Sequence, residues 1–256
     1  MAAEGSFHID PISQFAIHPL FELNIGGLNL AYTNSSLFMT IAVLFIGLFF
    51  YAAGKNRDMV PGRLQAAAEM AHESIAAIVR ENAGPEGMKY FPLIFAIFFL
   101  VLLGNILGMV PGAFTFTSHI AVTFTMAIVL FVFITGLGFA LHGLHFLGRF
   151  LPPGVPRVMA PMIFLLELFS YLVRPVTLSV RLFANMMAGH MVLKVFAYFA
   201  LGLLTSGSIG LMAFGLVPLL VNVALIALEL FVAGLQALIF TILTCVYLRD
   251  ALVIEH

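Results

Sequence analysis

Residues 167–194 read ELFSYLVRPVTLSVRLFANMMAGHMVLK. The stretch is apolar and free of strong helix breakers apart from Pro175, yet it carries charge. Glu167, Arg174 and Arg181 are spaced seven apart. Seven residues turn an α-helix by about 700°, so the three fall within roughly 40° of one another on one face. Asn185, four beyond Arg181, joins that face. His190 lies nine beyond Arg181, on roughly the opposite side. An Arg at mid-depth in a bilayer costs about 2.5–3.5 kcal/mol on insertion scales, so such charges turn towards a polar partner or a wet cavity. The stretch is therefore a membrane helix with a polar stripe, and the chain an all-α polytopic membrane protein.

Composition agrees. Of 256 residues 62% are hydrophobic and only 9% charged, against about 25% charged in ordinary soluble domains. The net charge of −1 gives no basic balance for nucleic acid. The single cysteine, Cys245, sits in an apolar run and reads as a packing residue. His8, His18, His72, His142 and His145 read as loop-borne or interfacial.

Working outward, the helix that holds the stripe extends over residues 158–204, and a second long helix follows over 210–248. At about 1.5 Å per residue the first is some 60–70 Å long, twice the hydrocarbon thickness. It must bend, with Pro161 and Pro175 as candidates, or tilt steeply. The second helix repeats the pattern: Asn222, Glu229 and Gln236 are spaced seven apart among Leu, Ile, Val, Ala and Phe. Two long helices with such stripes form a hairpin most cheaply by facing the stripes together or towards water.

The rest is arranged around that pair in one membrane domain. Residues 1–34 form an N-terminal tail without Lys or Arg, and no positive n-region marks a cleaved signal. Residues 35–54 make the first span, with Asn34 or Ser35 to cap it. Residues 61–83 make an amphipathic helix with a stripe of Leu64, Ala67, Ala68, Ala71, Ile75 and Ile78, too polar to span. It lies either on the membrane surface or against protein. Residues 90–147 hold the second and third spans, and 158–248 the two long helices. Lys55, Arg57, Arg63, Arg149 and Arg157 cluster in alternate loops, which places those loops and the C-terminus in the cytoplasm and the N-terminus outside.

The residue types suggest an ion-handling division of labour. Arg181 has no acidic residue three or four positions away and stays protonated at any working pH, so it repels cations and attracts a carboxylate. His190 and Glu229 change protonation near neutral pH once buried. The competing readings are structural: an ion pair for Glu167 and Arg174, interhelical hydrogen bonds for Asn185 and Gln236, a helix-locking pair for His190 and Glu229, and a snorkelling Lys194.

The run RLFANMMAGH at 181–190 resembles the motif of subunit a of F-type ATP synthases. So do ELFSYLVRPVTLSV before it, GNILGMVPG at 104–112, and VNVALIALELFVAGLQALIFTILTCVYL at 221–248. The resemblance covers nearly the whole chain and is weakest over the tail. It implies a proton-translocating stator subunit with no cofactor and no catalysis of its own, in a bacterial inner membrane or a mitochondrial-type energy-transducing membrane. Its implied partners are a rotating ring of c subunits, whose acidic residue engages Arg181, and b-type subunits of the peripheral stalk. Asn185, His190, Glu229 and Gln236 would line the channel from the outer side, and Asn222 and Arg174, on the same stripes, would also serve proton translocation. Glu167 and Thr177 would border an inner half-channel. Some family members exchange the acid and the histidine found here at Glu229 and His190. A stand-alone ion channel or secondary transporter is the rival from another class, and a passive scaffold a second. Enzyme chemistry has no support, since nucleotide-binding motifs and nucleophile–base sets are missing from the sequence.

Overall fold

A computed structural model describes residues 15–25, 28–55, 61–110, 112–151, 156 and 159–253. Arg57, Arg157 and His8 lie outside the described residues. Five helical segments are long and apolar enough to cross a membrane, and the chain is an all-α polytopic membrane protein.

Two strands lie within the N-terminal tail expected of residues 1–34. Strands β1 (Pro19–Ile25) and β2 (Leu28–Thr33) pair antiparallel, with an irregularity between Pro19 and Phe21. The sequence around the strand junction reads NIGGLN, and a Gly-Gly step between short apolar runs is a hairpin signal that charge counting passes over. Helix α1 (Asn34–Lys55) follows directly. Its cap is Thr33, one residue ahead of the expected position: the Ser36 amide donates to Thr33 Oγ1 at 3.3 Å. Asn34, one of the two expected caps, accepts the Ser35 amide on Oδ1 at 2.9 Å and also ties the helix to the N-terminal segment, donating through Nδ2 to the Ala16 carbonyl at 3.1 Å.

Helix α2 (Arg63–Gly87) is broken near its end at Gly84, whose φ of 75° only glycine adopts without strain, and Pro85 follows at once. A single tight turn, Met88–Tyr90, then leads into α3 (Phe91–Gly108). Of the two settings read for α2, protein contact holds for its second half: Ile75, Val79 and Ala83 pack with Ile94 of α3 and with Cys245, Leu248 and Leu252 further along the chain. Its first half, with Leu64 and Met70, is exposed.

Helix α4 (Ile120–His142) is the third span. Helix α5 (Ala160–Leu204) runs 45 residues as one element through Pro175. A short α6 (Ile209–Phe214) turns the chain into α7 (Leu216–Leu252). The core is where α3, α4, α5 and α7 meet: Ile97 and Val101, Ala127 and Leu130, Leu182 and Met186, and Ala233, Ala237 and Phe240. Ala233 and Ala237 are fully buried and one turn apart, so the α7 backbone comes close to its neighbours. Close approach over small residues is what holds helices together when lipid removes the hydrophobic drive. Asn105 of α3 uses that closeness, donating through Nδ2 to the Ala233 carbonyl at 3.3 Å. Elsewhere the helices show apolar faces, such as Leu44 (66% exposed) and Leu48 (68%) on α1, and Leu165 and Phe169 on α5, as lipid contact requires.

Candidate functional site: a polar seam between two long helices

Helices α5 and α7 pack antiparallel, and their stripes meet. Three pairs give the register: Arg174 with Asp250, Asn185 with Gln236, and His190 with Glu229.

At one end of the seam sit His190 and Glu229, 8% and 6% exposed. Their Nδ1 and Oε1 atoms are 3.7 Å apart, ion-pair distance but too long for a direct hydrogen bond. Neither carboxylate oxygen of Glu229 has a hydrogen-bond partner among the described residues. Gly189 makes room for this carboxylate: a Cβ there would stand 2.6 Å from Glu229 Oε1. His190 Nε2 lies 3.1 Å from Thr115 Oγ1, and the edge of Phe15 meets the ring at 6.3 Å. A cavity of about 100 Å³, lined by Phe15, Gly108, Met109, Val110, Gly112, Ala113, Thr115 and His190, opens beside them. One turn-pair further along α7, Asn222 Oδ1 is also buried without a partner among the described residues. His119, at the head of α4, stacks on Phe114 at 5.1 Å; burial holds it below the ordinary histidine value.

Mid-seam, Asn185 Nδ2 donates to Gln236 Oε1 at 3.1 Å, with Gln236 buried and Asn185 on the exposed flank. Arg181, one turn away, is exposed and has no ion pair or hydrogen bond among the described residues. It presents a bare guanidinium on the outer face of α5.

The other end is compensated. Arg174 Nη1 is 3.3 Å from Asp250 Oδ2 and its Nη2 is 3.9 Å from Glu167. Its guanidinium also lies 4.9 Å from the Tyr247 ring centre and 5.3 Å from that of Tyr171. Arg149, in the turn Gly143–Phe150 after α4, reaches Asp250 Oδ2 at 2.5 Å and also donates to the Asp250 carbonyl. Thr177, exposed beside Arg181, donates to the Arg174 carbonyl at 2.9 Å.

The seam thus brings together Asn185 with Gln236, and His190 with Glu229, while Arg181 stands apart on the surface. Asp250, Arg149 and Thr115 were missed by sequence reasoning. Asp250 did carry a signal: it continues the seven-residue series of Asn222, Glu229 and Gln236 after one apolar step at Leu243. Thr115, in a turn between spans, had none.

The model of the ATP synthase A chain family matches residues 36–249. The chain belongs to that family. Its similarity to curated members runs nearly end to end. It is 51% identical over 248 residues to ATP synthase subunit a of Parvibaculum lavamentivorans, covering 97% of this chain and 95% of that one. To the same subunit of Rhodospirillum rubrum it is 50% identical over 242 residues, covering 94% and 98%. To that of Mesorhizobium japonicum it is 50% identical over 248 residues, covering 97% and 98%. The family match takes in the seam from Arg149 to Arg249 and stops one residue short of Asp250.

Proposed function

We propose that the chain is the proton-translocating stator subunit of the membrane sector of an F-type ATP synthase, with two offset aqueous half-channels and Arg181 between them. Beyond family membership, one observation carries the reading: Arg181 is an exposed guanidinium in an apolar helix, without a hydrogen-bonding or ion-pairing partner among the described residues. A charge in that setting calls for a counter-charge on another chain. The acidic residue of a c-type ring subunit supplies it.

The path is then ordered along the seam. Protons enter from the outer side by the cavity beside His190, pass His190 and Glu229, and reach a ring carboxylate near Asn185 and Gln236. His190 lies nine residues from Arg181, about 14 Å along the helix. After rotation the ring carboxyl releases its proton near Thr177 and Glu167, into the inner half-channel. Arg181 never loses its own proton, so it blocks proton leakage between the two halves and pairs with each carboxylate as it arrives. Each charge moved through 100 mV makes about 2.3 kcal/mol available, which is lost if protons pass without rotation. ATP chemistry belongs to other subunits, and b-type subunits of the peripheral stalk hold this one still. Lys55, Arg63, Arg149 and Arg249 place their ends of the helices in the cytoplasm and the N-terminus outside, in an inner membrane.

The test is proton flux in vesicles that carry the whole synthase. Arg181→Ala should reduce ATP-driven pumping at least a hundredfold, and Arg181→Lys should restore little, because a Lys enclosed against the ring can deprotonate. Coupled pumping that survives Arg181→Ala refutes the gate.

A further inference from the structure

Two hydrogen bonds meet at the Thr115 hydroxyl. It donates to the Gly108 carbonyl at 3.2 Å and lies 3.1 Å from His190 Nε2. A hydroxyl has one hydrogen. With that hydrogen committed to the carbonyl, the oxygen can only accept from the imidazole, so Nε2 carries a proton. In the neutral ring the lone pair is then on Nδ1, the atom 3.7 Å from Glu229 Oε1.

The position of Thr115 is itself secured. It is 6% exposed. Ser118 closes the turn on it, its amide and Oγ donating to the Thr115 carbonyl at 3.1 and 2.6 Å. On the other side, a Cβ at residue 108 would strike the Thr115 side chain, so Gly108 is what lets the hydroxyl reach that carbonyl.

We propose that Thr115 is a positioning residue for the proton relay: it holds the His190 ring with Nε2 protonated, so that Nδ1 is the atom offered to Glu229. The inference rests on the reading of His190 and Glu229 as relay groups. The step is a single proton transfer. The imidazolium gives its Nδ1 proton to the Glu229 carboxylate, leaving a neutral ring with its lone pair on Nδ1 and a carboxyl, and the reverse restores both. Among the described residues, the charged and titratable groups that act on His190 are Glu229 from α7 and Lys194 from its own helix. Thr115 and Phe15, from the other two segments that pack on it, do not titrate.

Removing the acceptor should free the ring to rotate or to move its proton to Nδ1, and should disfavour the imidazolium, which needs acceptors at both nitrogens. In vesicles with the whole synthase, normalised to assembled complex, Thr115→Val should lower passive proton flux about tenfold at pH 8. It should also move the half-maximal pH about one unit lower, the size expected for a lost hydrogen bond to a charged group. Thr115→Ser, which keeps the hydroxyl, should stay within about twofold of wild type. If Thr115→Val keeps the wild-type profile while His190→Ala and Glu229→Gln abolish flux, the positioning role is overturned and the relay reading stands. If those two controls leave flux intact, the relay reading falls first. Equal losses in Thr115→Val and Thr115→Ser without a pH shift would mark Thr115 as structural only and overturn the proposal. A wild-type measurement does not depend on the variants assembling: ¹⁵N spectra of the histidine-labelled complex should show His190 protonated at Nε2. A neutral ring protonated at Nδ1 overturns the proposal.

Discussion

The two ends of the α5–α7 seam carry similar residue types and treat them in opposite ways. At the Arg174 end the charges on the seam have partners: Arg149, Arg174, Glu167 and Asp250 form one network, with Tyr171 and Tyr247 against the Arg174 guanidinium. At the His190 end both oxygens of Glu229 and the Oδ1 of Asn222 are buried without a hydrogen bond among the described residues, and the only ion-pair contact of Glu229 there is His190 at 3.7 Å. Leaving a buried acceptor unsatisfied costs about 1–3 kcal/mol. A membrane protein that compensates one end and not the other keeps the second available for something transient. On the proposed function, the contrast separates charges that hold the helices together from charges that do work on a proton.

That contrast can be broken by measurement. The largest effect should come from the uncompensated end. Glu229→Gln keeps the shape, removes the titrating group, and should cut coupled pumping and passive flux tenfold or more, with assembly close to wild type; unchanged flux would make Glu229 a helix lock. Asp250→Asn should act the other way round. It leaves Arg149 and Arg174 without their shared carboxylate. Because that carboxylate is 28% exposed, the loss is placed at about 1–2 kcal/mol, below the 3–5 kcal/mol of a fully buried pair. It should appear as a lowered unfolding midpoint of the complex, with flux per assembled complex within about twofold of wild type. A collapse of flux at constant assembly would make the two ends alike. The smallest effect belongs mid-seam: Asn185→Leu removes one interhelical hydrogen bond, about 0.6 kcal/mol. Stability should hardly move, and any loss of flux beyond about fivefold would place Asn185 among the proton-handling groups.

Much of this was legible in the sequence, because lipid simplifies the code. Apolar length gave the spans, and the seven-residue spacing put Glu229 and Gln236 on the face that meets α5. What stayed hidden depended on distance in the chain. Asp250 read as the end of a helix, and only packing brings it to Arg149 and Arg174. Thr115 became meaningful once the turn before α4 folded onto His190, a contact across 75 residues. The β1–β2 hairpin was passed over because its signal is a Gly-Gly step and not a charge or an apolar run. His190 and Arg181 are an instructive pair. Helical geometry set them on opposite sides, and the structure has one buried and the other exposed.

The length of α5 has a geometric consequence. A rod of 45 residues is about 67 Å long. Kept within a layer of roughly 30–45 Å it inclines some 50–60° from the normal. His190 and Arg174 are sixteen residues apart on it, about 24 Å. At that inclination they differ by about 14 Å in depth and by about 20 Å sideways. On the proposed function, the two ends of the seam are then separated chiefly around the circumference of the ring that turns beside them. A proton that goes in at one end and comes out at the other would be carried along an arc, and a straight drop through the membrane would become torque.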